Sequence, residues 1–251
     1  MNELTKFKTF SDLHVAGDPL VLYNAWDAGS AAAVAKSGAS AIATGSGSVA
    51  NANGFDDGEL LPLEFALGNA ARVVAAVDLP VTIDFEGGYA AGGDALAGNM
   101  ERLAETGAVG CNLEDQIVGT DALYAITDQA ERIRAARRGA GAGFFINART
   151  DLFLKADRST HDRDLADAAI ERGLAYAEAG ASGYFIPSLG DLALVELICR
   201  SVPLPVNAMH FPGAPTRAQW AAAGVARISH GPFPYMALMA QLTENARAAI
   251  G

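Results

Sequence analysis

Val81-Thr82-Ile83-Asp84-Phe85-Glu86-Gly87-Gly88-Tyr89 is the stretch on which the reading of the chain turns. An apolar, β-branched run follows Leu79-Pro80, delivers two carboxylates two residues apart and ends in a Gly-Gly turn. Residues i and i+2 of an extended strand face the same side. Asp84 and Glu86 therefore converge on one point if the strand persists that far. Two carboxylates held close call for a cation or a shared proton. A hard divalent metal meets that need, because Mg2+ prefers oxygen ligands and keeps several waters. The plainer alternative is a pair of solvated loop acids.

Outward from this stretch, strand-like runs alternate with helical ones. The strand runs are Leu20–Tyr23, Ser40–Thr44, Val81–Asp84, Val109–Leu113, Gly143–Asn147, Gly183–Ile186, Pro205–Ala208 and Val225–Ile228. Helical runs lie between them: Pro62 stands near the start of one, Thr127 and Thr216 are placed to cap two others, and Pro232 opens the last. Gly45-Ser46-Gly47 reads as a turn, and Asn51 to Glu59 as a polar loop. Strands alternating with helices imply parallel pairing and right-handed crossovers. Eight such units in 251 residues predict a (β/α)8 barrel occupying residues 1–251 as one domain. A doubly wound open sheet is the alternative. Gly45-Ser46-Gly47-Ser48 follows a strand, but Ala50 stands where a dinucleotide fingerprint has its third glycine.

Composition narrows the function. A net charge of −11 argues against nucleic-acid and anionic-membrane partners. Cys111 and Cys199 are the only cysteines, each in an apolar segment, which fits buried thiols of a reducing cytoplasm. The polar stretch Met1 to Phe10 has no apolar core of a secretory signal, and no run is long enough to span a bilayer.

In a barrel, chemistry gathers at the C-terminal strand ends. Those ends carry Tyr23-Asn24, Thr44 to Gly47, Asp84-Phe85-Glu86, Glu114-Asp115, Asn147 to Arg149, Pro187-Ser188, Asn207 and Ser229-His230. Asp56 and Asp57 lie on the loop after the second strand. Metal on one wall and a guanidinium opposite suit a small anionic or keto-acid substrate. The amides of Gly45, Ser46 and Gly47 are candidate donors to an oxygen anion. The four histidines, His14, His161, His210 and His230, show no metal spacing. His210 and His230 border the mouth as candidate proton carriers. A hydrolase triad lacks its nucleophile-elbow motif, and a glycosidase pair of Asp84 and Glu114 lacks aromatic platforms. Met236, Met239 and Leu242 recur at helical spacing in the last helix, reading first as core and second as an oligomer contact.

The ordered set Gly45-Ser46-Gly47-Ser48-Val49-Ala50, Asp57, Asp84-Phe85-Glu86-Gly87-Gly88-Tyr89, Asn112-Leu113-Glu114-Asp115-Gln116 and Asn147-Ala148-Arg149-Thr150-Asp151 resembles the isocitrate lyase/phosphoenolpyruvate mutase superfamily. The resemblance spans roughly Leu20 to Pro234. It implies a (β/α)8 barrel, Mg2+ or Mn2+, a small anionic 2-oxo acid substrate, and C–C or P–C bond chemistry. It also implies a homo-oligomer, dimer or tetramer, with a swapped C-terminal helix. By position, Asp84 matches the principal metal-binding aspartate, Glu86 stands in place of a second aspartate, and Glu114 matches the metal-shell glutamate. Asp57 matches an aspartate that reaches metal through water. Arg149 matches the substrate-gripping arginine, and Ser46 and Gly47 match donors to the substrate carboxylate. The expected catalytic set is Arg149, Glu114 and Asp57; the substrate contacts are Gly45, Ser46, Gly47, Arg149 and Asn207; the metal ligands are Asp84, Glu86 and Glu114.

The departures are equally specific. Isocitrate and methylisocitrate lyases carry a catalytic cysteine in a basic loop after the fourth strand. Here Gln116 to Tyr124 has no cysteine, lysine or histidine, and Cys111 lies upstream within the strand. Pro187 stands where the family often has His or Glu. The resulting expectation is a Mg2+-dependent lyase or decarboxylase working through an enolate. The alternatives are a phosphoenolpyruvate/phosphonopyruvate mutase or hydrolase, and a non-catalytic 2-oxo-acid-binding protein.

Overall fold

The fold is that of a computed structural model and is described for residues 3–251. Met1 and Asn2, the start of the polar N-terminal stretch, lie outside the described residues. Eight parallel strands follow one another: β1 (Leu20–Leu22), β2 (Ile42–Ala43), β3 (Val81–Asp84), β4 (Gly110–Glu114), β5 (Phe145–Arg149), β6 (Gly183–Phe185), β7 (Val206–Met209) and β8 (Arg227–Ser229). Their order, β1-β8-β7-β6-β5-β4-β3-β2, brings the first strand against the last. A parallel bridge between Ala25 and Thr44, just past β1 and β2, joins the two remaining edges. The Ala25 N–H donates to the Ala43 carbonyl at 2.8 Å there. The expected barrel is thus the observed one, and the open-sheet alternative falls away.

Around it run α1 (Glu3–Asp12), α2 (Ala28–Lys36), α3 (Ser46–Ala52), α4 (Leu63–Ala75), α5 (Gly93–Glu105), α6 (Ile126–Ala140), α7 (Leu152–Lys155), α8 (Arg163–Glu178), α9 (Leu192–Ser201), α10 (Arg217–Ala222) and α11 (Phe233–Ile250). Helix α10 starts at the expected Thr216 capping box. Thr127 does not cap α6, which begins one residue earlier behind Ala125. Helix α3 was not expected. Its Gly45-Ser46-Gly47 start reads as a turn, yet the chain coils onward and buries Val49 and Ala50 against Leu61. Helices α5 and α6 pack so closely that a Cβ on Gly139 would lie 1.9 Å from the Ala97 carbonyl oxygen, so only glycine fits there.

The barrel interior is layered, as alternation along each strand requires. At the N-terminal end Phe10 of α1 inserts among Leu20, Leu22, Ala41, Ala43, Val109 and Phe145. A helix thereby plugs the barrel floor. The middle layer is polar, holding Asn112, Asn147, Asn207 and Arg227, each at most 4% exposed. Asn112 lies opposite Asn147, and Asn207 opposite Arg227, in the strand register. The top layer carries Asp84, Glu114 and Arg149 at the last positions of their strands.

Candidate active site

Asp84 ends β3 and is held from three sides. Its own N–H donates to Thr44 Oγ1 at 3.0 Å. Its Oδ2 accepts from the Ser46 N–H at 3.1 Å, and its Oδ1 from Asn112 Nδ2 at 3.2 Å. The unexpected helix α3 therefore aims its first-turn amide at this carboxylate.

Glu86 lies beyond the regular strand that carries Asp84. The strand stops at Asp84, and Glu86 has φ of 51°, in the left-handed region. That turn breaks the i, i+2 alternation, yet Asp84 and Glu86 still border one small cleft with Thr44, Ser46 and Tyr89. Its Oε2 accepts from the N–H groups of Gly58 (2.8 Å) and Glu59 (2.6 Å), and its Oε1 accepts from Tyr89 Oη at 3.3 Å. Burial and the neighbouring Asp57 push the Glu86 carboxyl up to about 7, with the Glu59 amide pulling the other way. Glu86 thus latches the 56–59 loop. The Glu59 carboxylate closes the latch by accepting from the Tyr89 N–H at 2.6 Å. The latched loop sets the Asp57 carboxylate over Gly47: a Cβ there would come within 3.2 Å of Asp57 Oδ2. Burial and the charge of Asp84 raise the Asp57 carboxyl above the usual carboxylate range.

Glu114 ends β4 and Arg149 ends the neighbouring β5, where the two pair. Arg149 Nη1 lies 2.9 Å from Glu114 Oε2. Arg149 also donates from Nε and Nη2 to the two oxygens of Asp151, at 2.6 and 2.9 Å. The guanidinium faces the cavity already bracketed by two carboxylates. Desolvation raises the Glu114 carboxyl, and Arg149 opposes that rise. Asp115, next to Glu114, turns into the scaffold instead, accepting from the Asp151 N–H, Arg172 and Tyr176.

The cavity at these strand ends measures about 200 Å3, and neither Glu86 nor Glu114 is among the residues that line it. Gly45, Ser46, Gly47, Asp57, Asp84 and Arg149 line it, with Asn24, Asn112 and Ser229. The facing wall is largely apolar: Leu154, Phe185, Pro187, Met209 and Pro232. Asn207 sits in the layer below. Its amide is spent on Asn147, Ser229, the Ala208 carbonyl and the Arg227 carbonyl, and it is 1% exposed. The His210 and His230 rings lie 4.6 Å apart between centres, tilted by 30°, but do not line the cavity. Burial and His210 hold the His230 ring down at about 4.

Sequence reading missed several of these residues. Asn112 was legible as an inward position two residues before Glu114. Arg132 carried no signal. It reaches from α6 to the carbonyls of Gly87, Ala90 and Ala91 and stacks over the Tyr124 ring, pinning the turn after β3.

The donor set bears on whether a divalent cation fits here. Among the described residues no three His, Cys, Asp or Glu side chains form a metal cage. The Glu86 oxygens are engaged by loop amides and Tyr89, and Glu114 Oε2 by Arg149. Mg2+ does not need a protein cage. It binds through one or two carboxylates, several waters and substrate oxygens. Asp84 at the cavity wall, with Asp57 beside it, fits that mode.

The chain matches the phosphoenolpyruvate phosphomutase family over residues 10–250. It is 47% identical to a proposed phosphonomutase from Burkholderia cenocepacia J2315, with a TM-score of 0.96 over 99% of this chain and 100% of that one. An uncharacterized Mycobacterium tuberculosis protein is 34% identical over 96% of this chain and 88% of its own. The 2-methylisocitrate lyase of Escherichia coli is 28% identical over 80% of this chain and 68% of its own.

Proposed function

The chain belongs to the phosphoenolpyruvate phosphomutase family, and from that membership and its cavity we propose that it is an enzyme that cleaves a C–C bond in a small 2-oxo acid with Mg2+ or Mn2+ held at Asp84. The carrying observation is the division of the cavity. The polar lining, Asp84, Asp57, Ser46, Asn112 and Arg149, comes from β2 to β5 and their loops. The apolar lining, Leu154, Phe185, Pro187, Met209 and Pro232, comes from the chain after β5, and the strand order round the barrel sets the two on different sides. The 2-oxo carboxylate belongs on the first side, and the departing part of the substrate on the second.

When bound, the cation supplies positive charge that polarises the keto group and offsets the enolate charge that develops there. The chain's own residues do the rest. Ser46 and Asn112 hold the Asp84 carboxylate in one orientation. Arg149, fixed by Asp151 and Glu114, presents its remaining N–H groups to the substrate's anionic end. The apolar wall lowers the polarity around the bond that breaks. Decarboxylation suits such a wall, since a carboxylate leaves as neutral CO2. The bond's electrons pass to the keto group, and the carbon then takes a proton. The hydroxyls in the cavity are those of Ser46 and Ser229, and Asp57 is the lining carboxyl that burial and Asp84 raise above its usual range. Among the described residues that line it there is no cysteine, lysine or histidine, which argues against a thiol-dependent lyase.

A P–C reading is favoured by the likeness to the proposed phosphonomutase. Turnover of oxaloacetate against phosphonopyruvate, each with Mg2+ and followed by NMR, decides between them. Loss of both activities in Asp84→Asn supports the site. Turnover of phosphonopyruvate alone replaces C–C with P–C cleavage. Tight Mg2+-oxalate binding without turnover of any 2-oxo acid makes the chain a binding protein.

Helix α11 leaves Met236, Leu238 and Leu242 more than half exposed, and only Pro234 of this helix is buried. We propose that this arm packs on a second copy in a homo-oligomer. The unpaired Cys111 and Cys199 fit a reducing cytoplasm. No described helix is long and apolar enough to cross a membrane.

A further inference from the structure

Arg227 is a guanidinium inside the barrel whose hydrogen bonds, among the described residues, go to neutral side chains. Nε donates to Ser229 Oγ at 3.2 Å, and Nη2 to Asn112 Oδ1 at 3.3 Å. Nη1 is buried without a partner, and the residue is 1% exposed. Burying a charge without a carboxylate beside it is costly. Desolvation duly lowers its pKa to about 9, and the field of Asp84 opposes the fall. A bulky aliphatic residue would fill the same space at less cost, so the guanidinium needs a reason.

The reason lies one residue away. Asn112 Oδ1 accepts from two groups that can only donate, Arg227 Nη2 and, at 2.8 Å, Asn147 Nδ2. Two such donors fix which end of the amide is oxygen. The Nδ2 end must then face Asp84, and it donates to Asp84 Oδ1 at 3.2 Å. Turned over, the amide would set an oxygen against a carboxylate oxygen. We propose that Arg227 is a positioning residue for the cation site: acting through Asn112, it fixes the orientation of the Asp84 carboxylate. It touches neither substrate nor cation. The inference rests on the reading of Asp84 as the cation's ligand.

The Mg2+ dissociation constant, measured by calorimetry on the full chain, tests it. The set is the parent, Asp84→Asn, Arg227→Met, Arg227→Lys and Asn112→Ala. Loss of a charge-assisted contact of about 1.5 kcal/mol is roughly tenfold in affinity. Arg227→Met and Asn112→Ala should each weaken Mg2+ by about that factor. Arg227→Lys, which keeps a donor and a charge, should recover part of the loss. The Arg227→Met/Asn112→Ala double variant should lose little more than either single one, because both cut the same relay. Should Arg227→Met not fold, Arg227→Lys and Asn112→Ala carry the same comparison. A parent that binds no Mg2+ overturns the Asp84 reading and this inference together. A parent that binds, an Asp84→Asn that does not, and Arg227 and Asn112 variants within twofold of the parent overturn this inference alone.

Discussion

Arg149 holds Asp151 through two hydrogen bonds of 2.6 and 2.9 Å, although the two residues are only two positions apart at the end of β5. The pair is nearly out of water, with side chains 15% and 1% exposed, and Glu114 adds a second carboxylate at 2.9 Å. Removing one partner of a buried ion pair costs about 3–5 kcal/mol, because the other charge stays buried. Arg149→Met should therefore lower the unfolding free energy by about that amount in urea titrations. Asp151→Asn in the same chain should restore part of it. A single variant as stable as the parent would mean that Asp151 and Glu114 need no cation.

Arg149 also bears on substrate. A lysine cannot reproduce the planar fork that faces Asp151 while reaching Glu114. Arg149→Lys should weaken Mg2+-dependent oxalate binding by roughly 10- to 150-fold, the equivalent of about 1.5–3 kcal/mol. Mg2+ affinity without oxalate should stay within a few-fold. Calorimetry of each ligand separates the two, and unchanged oxalate affinity would remove Arg149 from the substrate site.

Glu86 is predicted to govern the loop that carries Asp57. Glu86→Ala leaves the amides of Gly58 and Glu59 without their acceptor. An unmet buried donor costs about 1–3 kcal/mol. Hydrogen exchange at residues 56–59 should quicken by roughly one to two orders of magnitude if that cost appears as local opening. Exchange unchanged from the parent would show that the Tyr89–Glu59 contact holds the loop without Glu86.

The barrel was legible because its signals are local. Eight apolar runs, each followed by a helical pattern, leave few other topologies. Strand limits moved by a residue or two where pairing, not propensity, sets the end; β5 runs on to Arg149 because Asp115 N–H bonds to its carbonyl at 3.0 Å. Asp84 and Arg149 were legible as charges at strand ends. The hold of Glu86 on the 56–59 loop was not legible, because it depends on one positive φ that a glutamate does not announce. Asn207 was placed one layer too high, because strand stagger decides whether a strand-end residue reaches the mouth. Arg132 and Arg227 read as ordinary charges. Their roles come from contacts 41 to 115 residues away along the chain, which no local pattern encodes.

Cys111 offers a direct check on thiol chemistry. It is fully buried in β4, and burial drives its thiol pKa far up, so it holds no thiolate at neutral pH. Cys111→Ala should keep kcat within a few-fold, at a stability cost of about 1 kcal/mol for the lost packing. Complete loss of turnover in a folded variant would restore a thiol mechanism.

His14 predicts how the fold responds to acid. It sits just past α1, with Nδ1 donating to the Phe10 carbonyl at 2.7 Å and its ring stacked on Phe145 at 4.3 Å. Its Nε2 is buried without a partner. Burial, aided by the positive charge of Arg227, lowers its pKa from 6.5 to about 3. Between those two values the unfolded chain binds a proton that the folded chain refuses. The unfolded state is thus favoured as pH falls below about 6.5, and above that pH the group contributes no difference. The loss is about 1.4 kcal/mol per pH unit, on the order of 2–3 kcal/mol by pH 4.5. Many carboxylates titrate over the same range, so the quantity to read is a difference between two chains. His14→Gln keeps a donor for Phe10 but does not titrate. Urea unfolding of both chains should show the variant gaining on the parent as pH drops from 7 to 4.5. Parallel pH profiles would mean that His14 takes up its proton in the folded barrel, and that the floor behind Phe10 is open to water.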